Sequence, residues 1–279
     1  MSRILMFLLA LLVSNPANAQ FELEPQFALN VTQIVDPVLP GEGQGYAAVG
    51  FDGADYWVGR WNSSRFTRIS QAGVYLESFD IPGLTGTRNL TWDGTHFWAA
   101  NTTTTLSRID PVTKTVVATL TVPALARYAS YDATADDGAG GFWIGNFSTD
   151  ILLVSMTGNV LQTIPAETVV FGGRFGAAVD TSGATAVLWF FYQGGSNNVE
   201  IGAIDLPSGT PRPETLDLLA SVPNVQSALA GGLFRTSDLP GGQNLLLALA
   251  QGTPDNAVVA VSIAQGILFG DGFEGETIP

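Results

Sequence analysis

The segment Leu90-Thr-Trp-Asp-Gly-Thr-His-Phe-Trp-Ala-Ala100 reads as two short apolar strands joined by an Asp93-Gly94 turn. Gly accepts the positive φ of a tight hairpin and Asp bonds the turn backbone, so the dipeptide is a hairpin signal. The second strand carries an aromatic or apolar residue followed by Trp, and that pair recurs. Tyr56-Trp57, Phe97-Trp98, Phe142-Trp143 and Leu188-Trp189 follow one another with Trp-to-Trp steps of 41, 45 and 46 residues. A similar turn precedes each pair: Asp52-Gly53, Asp93-Gly94, Asp137-Gly138 and, more loosely, Asp180-Thr-Ser-Gly183. Downstream come a polar loop and two more strands, as in Leu106-Ser-Arg-Ile-Asp110 and Val116-Val-Ala-Thr-Leu120. A period of this length with four strands per unit is that of a β-propeller blade.

Elsewhere, β-branched and aromatic runs alternate with Gly, Pro, Asn and Asp clusters, and no apolar stretch keeps a 3.6-residue period over four turns. The chain is therefore predicted to be all-β, a single β-propeller over residues 20–265 with five four-stranded blades. The blades begin near Tyr46, Arg88, Arg127, Arg174 and Ser227. In the fourth, strands B, C and D are expected at 187–192, 200–205 and 215–222. In the fifth, B and C are expected at 244–251 and 257–264, and an outer strand is missing. Residues 27–35 are predicted to supply it and so close the ring. Six blades is the alternative, but residues 20–45 are too few for four more strands.

The start, Met1-Ser-Arg3 followed by ten apolar residues and Ala17-Asn-Ala19, predicts a signal peptide over residues 1–19 that leaves a mature chain of 260 residues. The expected location is secreted or periplasmic. A formal net charge of −14 argues against nucleic acid and anionic membrane surfaces as partners. No apolar run after the signal is long enough for membrane insertion. Cysteine is absent, so an exported chain holds together without disulfides and carries no lipid at the cleavage site. Asn-x-Ser/Thr sequons stand at Asn30, Asn62, Asn89, Asn101 and Asn146. The expected state is a monomer.

The run from Leu90 to Ala100, continued by Leu106-Ser-Arg-Ile-Asp-Pro111 and Val116-Val-Ala-Thr-Leu120, resembles secreted propellers of the broad YncE/NHL and glutamine-cyclotransferase neighbourhood. The resemblance implies a propeller rather than a reaction, since the chain lacks the acidic and tryptophan constellation expected of a cyclotransferase. Residues 266–279 form an acidic tail. Within it Leu268-Phe-Gly-Asp-Gly-Phe-Glu274 resembles a short terminal motif of secreted gammaproteobacterial proteins.

The Trp pairs sit at one offset in an alternating strand, where packing between blades needs a large apolar side chain, so they are predicted to be core. His96 lies in a turn and is expected to be solvated or to cap it. Asp132, Asp136 and Asp137 match no EF-hand spacing. No metal and no cofactor is expected. Superposing the repeats places Arg88, Arg127 and Arg174 just before their blades' inner strands, at one channel mouth. The B–C loops reach the same face with Arg60, Asn101, Asn146 and Tyr192. Converging guanidinium groups there suit a carboxylate, sulfate or phosphate. The function expected is non-catalytic binding of a small anionic ligand, or of an extracellular protein or glycan, on this Arg/Asn-rich face. The alternative is a metal-dependent hydrolase or lyase acting in the central channel.

Overall fold

The computed structural model describes residues 21–195 and 198–265. Five four-stranded antiparallel sheets form a ring, a five-bladed β-propeller. The first blade comprises β2 (Tyr46–Phe51), β3 (Asp55–Arg60), β4 (Arg65–Ser70) and β5 (Tyr75–Asp80). The second has β6 (Asn89–Trp92), β7 (Phe97–Ala100), β8 (Thr103–Asp110) and β9 (Thr115–Ala126). The third has β10 (Tyr128–Asp132), β11 (Gly141–Gly145), β12 (Ile151–Ser155) and β13 (Val160–Ile164). The fourth has β14 (Arg174–Asp180), β15 (Val187–Gly195), β16 (Asn198–Asp205) and β17 (Pro211–Asp217).

The last blade is built from both ends of the described chain. Strands β18 (Val225–Thr236), β19 (Leu245–Pro254) and β20 (Ala257–Gln265) are completed by β1 (Phe21–Asn30), which runs antiparallel to β20 from Phe21 opposite Gln265 to Asn30 opposite Ala257. The closure matches the sequence reading, but its bounds differ. The strand starts before residue 27 and stops at Asn30, whose side chain accepts the Gln33 N–H at 3.0 Å and caps the short helix α1 (Val31–Val35). That capping bond turns the apolar run after Asn30 away from the sheet. In blade four the outer strand also lies earlier than expected. A tight turn in which the Gly209 N–H bonds the Asp205 carbonyl returns the chain by residue 211, and residues 219–221 form a 3-10 turn.

The core lies between blades, and the Trp pairs fill it as expected. Trp57, Trp98, Trp143 and Trp189 are 1%, 4%, 2% and 0% exposed. Trp57 meets Phe97 of the next blade at 5.3 Å between ring centroids, Trp98 meets Phe142 at 4.9 Å, and Tyr128 meets Phe190 at 5.9 Å. The turn aspartates lock three of the indoles. Asp93 accepts from the Thr95 and His96 N–H groups with one carboxylate oxygen and from the Trp98 indole N–H at 2.8 Å with the other. Asp52–Trp57 and Asp132–Trp143 repeat the arrangement at 2.7 and 3.1 Å. In blade four Asp180 binds Asn244 instead, and the Trp189 indole N–H is buried without a partner.

Candidate functional site

Strand register decides which arginines share a position. In each of the first four blades one residue of strand A lies opposite the core Trp of strand B: Gly50 opposite Trp57, Thr91 opposite Trp98, Ser130 opposite Trp143, Ala178 opposite Trp189. Counting back three residues from the last three gives Arg88, Arg127 and Phe175. Arg174 is one residue further upstream, before a β-bulge at which Arg174 faces Tyr192 and Gly176 faces Phe191. A single inserted residue sends the following side chain to the other face of the strand. Across the sheet Arg174 still faces the third residue past its blade's Trp, just as Arg88 and Arg127 directly precede Asn89 and Tyr128, which face the second residue past theirs. What differs is the bonding of its side chain. Phe175, the extra residue of the bulge, lays its ring against Arg127.

Arg127 is 3% exposed. Its guanidinium carbon lies 4.6 Å from the centroid of the Phe147 ring and 4.4 Å from that of Phe175, and these two rings meet edge to face at 5.0 Å. Arg88 lies 5.3 Å from the Trp61 ring centroid. Trp61 and Phe147 are 41% and 39% exposed, so they form an open rim over the two cations. Burial pushes the Arg127 pKa down to about 10, with the Arg88 charge adding to it, and burial lowers that of Arg88 as well. Neither shift has a carboxylate among its causes. The Nε of each is buried without an acceptor, as are those of Arg60, Arg68, Arg108 and Arg174, whose terminal nitrogens or charge find partners elsewhere.

The other cations differ. Among the described residues Arg60, Arg65, Arg68, Arg108, Lys114, Arg212 and Arg235 each pair with an Asp or Glu. Arg174, 1% exposed, donates to the carbonyls of Phe171, at 3.1 Å, and Thr149, and lies beside the Tyr128 ring system. It stitches the third blade to the fourth. A chain with 25 acidic and 11 basic residues thus leaves Arg88 and Arg127 alone without an acidic or carbonyl partner among the described residues.

The remaining predicted site residues are engaged locally. Arg60 binds Glu42 at 3.0 Å over the Tyr46 ring. Asn101 donates to the Thr85 hydroxyl at 3.3 Å, and Asn146 accepts the Phe147 N–H at 3.0 Å. The Tyr192 hydroxyl donates to Glu200 at 2.6 Å, and burial together with that carboxylate raises its pKa. The predicted site residues did not include Trp61, Phe147 and Phe175, although all three directly follow predicted ones, Arg60, Asn146 and Arg174. The signal for the bulge was countable: five residues separate Arg88 from Asp93 and Arg127 from Asp132, but six separate Arg174 from Asp180.

The axis itself is filled. Asn89, fully buried, donates its amide N–H groups to the carbonyls of Ala129 at 2.9 Å, Leu90 at 3.2 Å and Ala177 at 3.3 Å. Its oxygen accepts the N–H of Leu233 at 3.0 Å and of Ala177 at 3.3 Å. One side chain thereby ties four blades, in place of the continuous channel that the sequence reading assumed. Five blades bring the inner strands so close that a Cβ on Gly176 would sit 2.4 Å from the Leu233 nitrogen. Asp132 is committed to Thr134 and Trp143. Among the described residues no group of three or more His, Asp or Glu side chains is disposed to hold a metal ion, and no helix is long and apolar enough to cross a membrane.

No protein-family profile and no curated protein matches the chain. Its structure is similar to that of a glutaminyl cyclase from Myxococcus xanthus, with a TM-score of 0.59 and 11% identity over 88% of this chain and 98% of that one. A virginiamycin B lyase from Staphylococcus aureus is similar at a TM-score of 0.41 and 16% identity, over 81% of this chain and 69% of the other. At such identity the first likeness concerns the fold. It agrees with the propeller neighbourhood to which the repeats pointed. The expected signal peptide and the acidic tail lie outside the described residues.

Proposed function

We propose that this chain is an exported, non-catalytic binding protein whose Arg88–Arg127 mouth takes a small ligand through a carboxylate or a similar anion. The observation that supports the reading most is the pair of guanidinium groups without counter-charge in an otherwise acid-rich protein. Two neighbouring cations repel, and their burial costs stability unless an anion compensates. The aromatic contacts orient them. Rings against a guanidinium face leave its in-plane N–H edge for a bidentate partner. Exposed Trp61 and Phe147 add apolar surface for the part of the ligand that carries the anion.

The metal-dependent alternative gains no support from the site, since no group of three or more His, Asp or Glu side chains among the described residues is disposed to hold a metal ion. The test is calorimetric titration of the mature protein with acetate, benzoate, citrate, sulfate and phosphate, repeated on Arg127→Gln and Arg88→Gln. Saturable binding by the parent that both variants lose, with melting curves preserved, supports the site. Binding by none of the five anions, or binding indifferent to both substitutions, refutes it.

A further inference from the structure

The opposite end of the axis, where strands A turn into strands B, holds a cavity of about 280 Å³. Its floor is apolar, with Leu90 and Leu233, and Thr91, Trp92, Ser130 and Tyr131 line it together with Asp238 from the last blade. The Trp92 ring lies edge to face against Phe97 at 4.8 Å between centroids. Two hydroxyls deserve a partner they do not have. The Thr91 oxygen accepts the Tyr131 N–H at 2.9 Å, and the Ser130 oxygen accepts the Val179 N–H at 2.6 Å. Each hydroxyl proton is then left to donate, and neither has an acceptor among the described residues, although Thr91 is 8% and Ser130 2% exposed. At the rim, the Asp238 carboxylate is exposed and joins no ion pair among the described residues.

This set of groups discriminates among ligands. An ammonium ion has donors only and cannot satisfy the two hydroxyl protons. A carboxylate or phosphate would accept them but would meet the negative charges of Asp93 and Asp238, while the one cation of the lining, Arg235, is already paired with Asp180. A polyol both accepts and donates, and the C–H face of a sugar ring is apolar enough to lie on an indole. The volume falls just below the roughly 300–1,000 Å³ of pockets for larger ligands, which suits one ring. We infer that this cavity binds a neutral monosaccharide, stacked against Trp92, accepting from Thr91 and Ser130 and donating to Asp238. The site is independent of the arginine mouth, from which the Asn89 side chain separates it.

The experiment is a titration of the mature protein with D-glucose, D-galactose, D-mannose and N-acetyl-D-glucosamine, followed by tryptophan fluorescence and saturation-transfer NMR. Tetramethylammonium and acetate serve as the charged controls. At least one sugar should bind saturably below about 50 mM. Asp238→Asn, at an exposed loop position, should weaken it by up to about tenfold, the worth of one hydrogen bond. Trp92→Leu should abolish it, and Arg127→Gln should leave it unchanged. Circular dichroism shows that each variant is folded. No saturable binding of any of the four sugars overturns the inference, as does binding indifferent to Asp238→Asn, or displacement of the sugar by tetramethylammonium.

Discussion

Phe175 packs its ring 4.4 Å from the guanidinium carbon of Arg127, and it is the extra residue of the β-bulge between Arg174, which faces Tyr192, and Gly176, which faces Phe191. The residue inserted in the fourth blade thus supplies an aromatic face to the cation of the third. Arg174, the residue before the bulge, has a different task, donating to the Phe171 and Thr149 carbonyls. The two arginines are both almost fully buried, yet only one is bonded.

Substitution should separate them. Arg174→Gln removes a charge-assisted donor from the Thr149 and Phe171 carbonyls and is expected to cost about 2–4 kcal/mol in urea unfolding. Arg127→Gln loses contacts with two rings but also relieves an unpaired buried cation, so its stability should stay within about 1 kcal/mol of the parent. Equal losses in the two variants would place Arg127 in the structural role and remove the case for an anion at its mouth.

The affinity for acetate, benzoate or sulfate, which do not titrate in this range, should be flat between about pH 6 and 8 and should fall as pH rises through about 10, where Arg127 loses its charge. For stability the sign is the reverse of that for a salt-bridged base. The folded pKa lies below the ordinary guanidinium value, so the penalty of burying the charge is fully present below about pH 10 and is relieved as pH rises above it. Unfolding of the parent, compared with Arg127→Gln from pH 8 to 11, reads this difference. A parent that loses stability relative to the variant over that range contradicts the sign.

The blades were legible because their signals are local: strand alternation, Asp-Gly turns and a Trp at one offset. The closing strand was legible from an unpaired edge, but its end was not, because Asn30 was read as a strand residue rather than as the cap of α1. The candidate site was legible only in part. Arg88 and Arg127 followed from the repeat, whereas the role of Arg174 depends on one extra residue before Asp180, and a bulge changes which way a side chain points without changing its type. The sealed axis was not legible. Asn89 looks like any polar residue at a strand start, and its five bonds reach blades that lie far apart in the chain.

The Trp pairs should not be equivalent under substitution. Trp98→Phe removes an indole N–H that Asp93 accepts, while Trp189→Phe removes one that is already unpartnered. Both retain most of the buried ring, so the first is expected to cost about 1–2 kcal/mol more than the second. Trp98→Ala, which also empties the space beside Phe142, should cost roughly 3–5 kcal/mol. Chemical denaturation of the three variants checks the order. Equal costs for the two Phe variants would mean that the Asp93–Trp98 bond contributes nothing net.

Asn89 bears the sharpest structural prediction. Its amide satisfies the Leu233 and Ala177 N–H groups and donates to three carbonyls, all within the buried axis. Asn89→Ala strands two buried backbone donors and is expected to cost about 2–5 kcal/mol. Asn89→Asp keeps the shape but turns donors into acceptors, setting a carboxylate against the carbonyls of Ala129 and Ala177, and should be worse than Ala. The same burial bears on the Asn89-Leu-Thr sequon: folded protein from a glycosylating host should carry no glycan there, because no sugar fits inside the ring. Urea unfolding of the two variants and mass spectrometry of tryptic peptides test both statements. A glycan on Asn89 in folded, cooperatively melting protein, or an Asn89→Asp variant as stable as the parent, would show that the axis is open where the structure closes it.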